Sequence, residues 1–312
     1  MRWLLSERMK RMLLVGFPVL LIVLLHIGYG LHPVHVQITL KHTLHNTLNG
    51  NQKDKSEFGL CVIGKDERDL PEWVEYHKRK GCSKFYIYDN DSEVKMSTYL
   101  KNYIDSGLVV YIPTTFNETL GDLSPITYAK NNCTRTYGHL HKWLGLLDAD
   151  EFIVTENNKS IPEVLRDFEG YGGVALNWMM FGSSGLVESP GSILGPHYTK
   201  CVPNIHVKAI VNPMHVSLCR SSHYCNYYYP YFAVNVDKER VAQTHWSESH
   251  RIKTHTMYIN HYVTKSLQDF RRKQKRGSGD YIPARSDQFF HEVDKTMTQD
   301  CPALLMPPDL NA

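Results

Sequence analysis

Between residues 59 and 113 short apolar segments alternate with amphipathic ones, and this alternation constrains the fold most. "GLCVIG" (residues 59–64) has the continuous apolar character of a buried strand. "DLPEWVEYHKRKG" has the marks of a helix, with Asp69 as N-cap, Pro71 in the first turn and Gly81 just past the end. "KFYIYDN" (residues 84–90) is a second strand, rich in aromatics and Ile. A second helix, "MSTYLKNYIDSG", stops at Gly107 and is followed by the strand "LVVYIP". Strand, helix and strand recurring at this spacing predict an α/β domain on a largely parallel sheet.

The chain continues in the same manner. Residues 124–142 are less regular but compatible with a helix, and the apolar run that opens "KWLGLLDADEFIV" and ends at its acids is expected to be the fourth strand. "GGVALNWMMFGSSG" (residues 172–185) suggests a strand entering a Gly/Ser loop, and residues 204–213 a further strand. "MYINHYVTKSLQDFRRKQKRG" predicts a strand leading into a basic helix that ends at Gly277. No internal repeat is visible.

In open α/β sheets ligands bind beyond the carboxyl ends of the strands. Lys65-Asp66-Glu67 follows the first strand, Asp89-Asn90-Asp91-Ser92 the second, and Asp148-Ala149-Asp150-Glu151 the fourth. Three polar, mostly acidic clusters are thus expected along one sheet edge. Carboxylates gathered at a strand end need a cation, or else they repel or take up protons. Asp148 and Asp150, read as one extended segment, point the same way and can hold a divalent ion, for which oxygen ligands select Mg2+ or Mn2+. Such an ion neutralises a departing diphosphate. Asp91 can accept from a uracil N–H, Glu67 from ribose hydroxyls, and Lys65 can meet a phosphate. Asp89 and Asn90 serve equally well as ordinary turn residues.

The N-terminus belongs to another environment. Residues 12–31 carry no charge, and twenty helical residues span about 30 Å, a bilayer core. Arg2, Arg8, Lys10 and Arg11 precede the run, which predicts a cytosolic tail (residues 1–11), a single-pass anchor (12–31) and a lumenal remainder. A cleaved signal peptide is the rival reading. Residues 32–57 form a polar stem, leaving 58–306 for the globular domain. The net charge of +3, without a long basic run, gives no nucleic-acid footprint. All seven cysteines follow the apolar run, where disulfides are permitted, and an odd count leaves one over. Cys61, inside a strand, is expected to be the free thiol. Glycosylation sequons begin at Asn90, Asn117, Asn132 and Asn158.

Five blocks, "KDERDLPEWVEYHKRKGCSKFYIYDNDS", "WLGLLDADEFIV", "ALNWMMFGSSG", "HVKAIV" and "NHYVTKSLQDFRRKQKRGSGD", resemble glycosyltransferase family 92 in content and order over roughly residues 58–290. The resemblance implies a GT-A-like, Rossmann-type mixed sheet flanked by helices, and metal-dependent, inverting transfer from a nucleotide sugar, foremost UDP-galactose. It implies a metal site of Asp148, Asp150 and His261, and a nucleotide side with Glu67 and Asp91. At Asp66 relatives often carry Asn, so this chain adds a negative charge there. On the residues alone, His261 reads first as a core histidine, and it is the resemblance that makes it a ligand. Lys265 can reach a phosphate or point to solvent. Trp178 and Phe181 can floor an acceptor sugar or belong to the core. For the base that deprotonates the acceptor hydroxyl, Glu188 is the candidate, with Asp237, Asp280 and Asp287 open.

The expectation is therefore a type II Golgi membrane glycosyltransferase with a UDP-sugar donor, a glycan acceptor and Mn2+ or Mg2+. Two alternatives are a lumenal glycan-binding relative without turnover and a haloacid-dehalogenase-like phosphatase. The phosphatase needs a hydroxylated residue where this chain has Phe152.

Overall fold

The computed structural model describes residues 55–115, 123–241, 251–277 and 285–309. The expected anchor at 12–31, the tail before it, the expected stem as far as residue 54, Asn117 and Asp280 lie outside the described residues; residues 55–57, assigned to the stem, are described, and the first strand already begins at Ser56. Among the described residues no helix is long and apolar enough to cross a membrane.

The strands are β1 (Ser56–Gly64), β2 (Lys84–Asn90), β3 (Val109–Thr114), β4 (His141–Leu147), β5 (Glu151–Thr155), β6 (Gly173–Phe181), β7 (Lys200–Val211), β8 (Val216–Cys219), β9 (Cys225–Tyr227), β10 (Ala233–Val234), β11 (Met257–Tyr262) and β12 (Gln299–Asp300). The helices are α1 (Leu70–Arg79), α2 (Ser97–Asp105), α3 (Pro125–Tyr137), α4 (Ile161–Leu165), α5 (Leu267–Arg276) and α6 (Asp287–Thr296). The main sheet runs β3-β2-β1-β4-β7-β6-β11-β5, with β10 beside β6 and β12 beside β7; β8 and β9 form a separate hairpin.

The first four strands of this order are parallel, as the alternating pattern predicts. β7 pairs antiparallel with both β4 and β6, and β11 is parallel to β6 but antiparallel to β5. The sheet is therefore mixed rather than largely parallel. β1, β4, β6 and β11 still run the same way, so their carboxyl ends share one edge.

Side-chain alternation sorts the core into two layers. Phe58, Leu60 and Val62 of β1, with Phe85 and Ile87 of β2, pack with α1, α2 and α4. Cys61, Tyr86, Tyr88, Leu144 and Leu146 point the other way, towards α3 and the β8–β9 hairpin. That alternation explains the pairing of Cys61, which is not free: it is bonded to Cys133 of α3. Cys201–Cys301 and Cys219–Cys225 are the other disulfides, and the buried free thiol is Cys82.

The expected fourth strand ends before its acids, and the apolar run beyond them is a separate strand that does not pair with it. β4 ends at Leu147 beside β1, whereas β5 starts at Glu151 on the far edge of the sheet. Among the described residues β5 has no strand on its outer side, and α1 takes that place. Trp73 Nε1 donates to Glu151 O (2.7 Å), Tyr76 Oη donates to Ile153 O (3.0 Å), and Ile153 N–H donates to His77 Nε2 (3.2 Å). Burial pushes His77 down to about 3, so it is the neutral acceptor this edge requires. Three side chains at i, i+3 and i+4 thus satisfy the backbone that a neighbouring strand would otherwise pair.

Candidate active site

The turn from β4 to β5 crosses the sheet and carries the acids. Glu151 N–H donates to Asp148 O (3.2 Å), and Asp148 N–H donates to Glu151 Oε2 (2.9 Å), so Glu151 closes the turn from both ends. Asp148 and Asp150 consequently do not alternate as in an extended strand; each meets different partners.

Asp148 lies against Lys208 of β7 (2.6 Å) and Lys130 of α3 (3.5 Å). Burial favours its neutral form, but these two ammoniums outweigh that and hold the carboxyl well below the usual range. Asp150 lies against Lys273 of α5 (2.5 Å) and 3.7 Å from His261 Nε2 on β11. It too is held well below its ordinary value, the cost of burial being exceeded chiefly by the Lys273 ammonium. Glu151 is fully buried, and its nearest cation, Lys208, is 3.6 Å away. Burial, with Asp148 and Asp150 nearby, pushes it up to about 8. Glu151 Oε1 has no hydrogen-bond partner. Two of the three acids are thus compensated by lysines and the third by a proton.

A cavity of about 220 Å³ opens beside Asp148 and Asp150, with Trp178, His223, His261 and Lys273 on its walls. A second, of about 900 Å³, shares Lys65, Glu67, Asp150, Lys273 and Arg276 with the first. Helix α5 forms the wall between them. Its Ser266 N-cap accepts from Asp269 N–H (3.1 Å), which starts the helix where the chain leaves β11. Lys273 and Arg276, three residues apart on one face, reach different clusters. Arg276 donates to Lys65 O (2.7 Å) and pairs with Glu67 (2.5 Å), while Lys273 holds Asp150. Glu67 also covers Gly64, where a Cβ would stand 2.8 Å from its Cγ.

The residues expected from sequence divide into two groups. Lys65, Glu67, Asp148, Asp150, Trp178 and His261 line the smaller cavity together. Lys265 and Asp91 line only the larger one. Lys265 is paired with Asp69 (2.5 Å), and Asp91 with Lys95 (3.1 Å). Asp89 is buried with its acceptors engaged: Oδ1 receives Ser92 N–H (2.9 Å), and Oδ2 receives Met96 N–H (2.9 Å) and Tyr111 Oη–H (2.6 Å). It shapes the loop after β2 rather than facing a cavity. Phe181 is a core residue stacked on Tyr262 at 4.8 Å. Being three positions from Trp178 on one strand, it faces the opposite side of the sheet. Glu188 is exposed and lines neither cavity, and Asp237 and Asp287 are taken up by Lys253 and Arg271.

Lys130, Lys208, His223, Lys273 and Arg276 were not expected. Lys208, a charge inside the apolar strand "HVKAIV", was the available signal, since a lysine there needs a buried partner. The spacing of Lys273 and Arg276 was a second.

A divalent cation has a partial cradle. Asp150 Oδ1 and His261 Nε2 converge on one cavity wall, and burial keeps the His261 ring in its neutral, ligating form. His261 Nδ1 is buried without a protein partner. Among the described residues no group of three or more His, Cys, Asp or Glu side chains is arranged to hold an ion. Mg2+-type sites use one or two protein ligands and complete the shell with water and substrate phosphates, so this donor pair fits such an ion. Asp148, with both oxygens on lysines, would be an outer neighbour.

A family model described as Glycosyltransferase family 92 matches residues 56–301. A family 92 protein from Ricinus communis is 25% identical over 239 residues, which cover 72% of this chain and 39% of the relative. One from Oryza sativa subsp. japonica is 29% identical over 164 residues, or 49% of this chain and 26% of the relative. The chain thus spans well under half the length of these relatives. Among solved structures, Staphylococcus aureus TarS 1-349 in complex with UDP is 10% identical, covers 50% of this chain and 47% of its own, and has a TM-score of 0.34. A putative glucose-1-phosphate thymidylyltransferase from Bacillus anthracis is 9% identical at a TM-score of 0.31, over 78% of this chain and 85% of its own. At such scores neither likeness bears on fold or function.

Proposed function

The chain belongs to glycosyltransferase family 92, and on that premise we propose that it transfers a sugar, galactose foremost, from a UDP-sugar to a glycan acceptor with inversion. The supporting observation is the joining of Asp148, Asp150, His261, Lys273 and Arg276 around one cavity at the carboxyl ends of β4 and β11. Transfer forms a bond from the acceptor oxygen to the anomeric carbon and breaks the bond from that carbon to the diphosphate. The leaving UDP takes the electron pair, and the acceptor proton passes to a base. Negative charge therefore grows on the diphosphate as the bond breaks. Lys65, Lys273, Arg276 and Arg285 line this cavity and would receive it. Asp150 and His261 would hold Mn2+ or Mg2+, which neutralises part of that charge. Trp178 offers the acceptor an aromatic wall, with His223 5.2 Å away. A GT-A-like donor side, a type II anchor over residues 12–31 and a Golgi-lumenal domain complete the reading. No base is assigned.

The test uses the full chain. UDP-, GDP- and CMP-sugars are screened for thermal stabilisation with Mn2+, and sugar transfer is measured for the wild type and Asp150→Asn. Stabilisation by UDP-sugars is expected, since a ligand at a hundred times its Kd adds about 2.7 kcal/mol. Asp150→Asn should abolish transfer. Preference for another nucleotide, or full activity in the variant, would overturn the reading.

A further inference from the structure

Three disulfides that join β1 to α3, β8 to β9 across their turn, and β7 to the C-terminal segment indicate an oxidising compartment. N-glycosylation takes place in such a compartment, and the structure treats the described sequons differently. Asn132 lies on α3, half-buried, and its Oδ1 accepts from Tyr88 Oη (2.7 Å). The residues after it, Cys133 and Thr134, are buried, and Cys133 is disulfide-bonded. Asn90 lines the smaller cavity, and its sequon hydroxyl, on buried Ser92, accepts from Asp66 N–H (2.8 Å). A glycan on Asn90 would enter the cleft. Neither position suits a large modification.

Asn158 is different. It is exposed at the tip of the turn after β5, with Asn157 and Asn158 both left-handed at φ 52° and 56°, a conformation asparagine tolerates. Its Oδ1 is turned inward and accepts from Lys80 Nζ (3.3 Å). Lys80 is itself buried and also donates to Thr155 Oγ1 (2.7 Å) and Lys159 O (3.3 Å). With the carbonyl oxygen held there, the amide nitrogen is left on the solvent side. β5 leads away from Asp150 by about 3.3 Å per residue, so the turn lies roughly 15 Å from the acids.

We propose that Asn158 is an N-glycosylation site of this protein, and that Asn90 and Asn132 are not. The proposal rests on the lumenal placement given above. The donor is a lipid-linked oligosaccharide diphosphate acted on by the host's oligosaccharyltransferase. A bond forms from Asn158 Nδ2 to the anomeric carbon, the bond from that carbon to the diphosphate breaks, the lipid diphosphate leaves with the electron pair, and one amide proton is lost. The amide oxygen remains an acceptor, so its contact with Lys80 survives.

The full chain, made in a eukaryotic secretory host, is digested without reduction, and site occupancy is read by mass spectrometry after glycosidase treatment in heavy-oxygen water. The isotope mark is expected at Asn158 and absent at Asn90 and Asn132. Asn158→Gln should remove one step of gel mobility, and glycosidase treatment should bring the wild type to the same position. A marked Asn90 or Asn132, or an unmarked Asn158 in a chain whose three disulfides are formed, overturns the assignment while the lumenal reading stands. Free thiols together with bare sequons overturn both.

Discussion

Lysine 208 lies between the turn acids, and its removal is a quantitative test of how they are held. It is 1% exposed, 2.6 Å from Asp148 and 3.6 Å from Glu151. Removing one partner of a buried pair typically costs about 3–5 kcal/mol, because the other charge is left uncompensated. Here the loss should be smaller. Asp148 keeps Lys130 at 3.5 Å and is 30% exposed, so water and a second cation remain. Glu151, pushed up to about 8, is mostly neutral near pH 7 and loses little. Methionine fills most of the lysine stem without a cavity. Lys208→Met should therefore cost about 2–3 kcal/mol, below the usual range for a broken buried pair. For a domain of this size that corresponds to a fall in Tm of roughly 4–12 °C.

Urea unfolding at pH 7 gives the free energy and the slope m together, so a change in midpoint at constant m is a change in stability. The double variant Asp148→Asn/Lys208→Met removes both charges, and it should recover most of the loss, since the penalty arises from the abandoned carboxylate. A coupling of about 1–3 kcal/mol is expected from the cycle. Lys208→Met as stable as wild type, or a double variant that merely adds the two single losses, would refute the account of a lysine-compensated turn.

Glu151→Gln tests the buried proton. A carboxyl whose folded pKa of about 8 exceeds its unfolded 4.5 contributes stability that is full below pH 4.5 and lost as pH rises through 8. The variant should match wild type near pH 4 and exceed it above pH 8, by an amount on the order of a few kcal/mol; urea midpoints at both pH values check this. Trp178 and Phe181 should separate: Trp178→Phe should raise the acceptor KM with little loss of stability. Phe181→Ala should cost about 3–5 kcal/mol without affecting KM in the surviving folded enzyme. Thiol titration without reductant should find no reactive cysteine in the native protein and one, Cys82, after unfolding, because burial and a pKa driven upward both silence it.

Much of the framework was legible locally. Periodicity, Pro71, the helix-ending Gly107 and Gly277, and the acids after apolar runs all act within one element. They sufficed for β1, α1, β2, α2, β3 and α5, and for bringing Lys65, Glu67, Asp148 and Asp150 to one sheet edge. Trp178 and Phe181 were expected together at the acceptor, although strand period already puts residues three apart on opposite faces. What local pattern could not supply was neighbourhood. "LGLLDADEFIV" is apolar on both sides of its acids whether it is one strand or two, and only the insertion of β7, β6 and β11 between β4 and β5 decides. That insertion turns the acids into a crossing. It also brings Lys208 from sixty positions away and Lys273 from more than a hundred, as partners for Asp148 and Asp150. Cys61 met Cys133 for the same reason, since the face of β1 it occupies is defined by α3 rather than by its neighbours in the chain. Hydrophobic periodicity is a property of adjacent residues, whereas the compensation of a buried charge or thiol depends on which distant element packs against it.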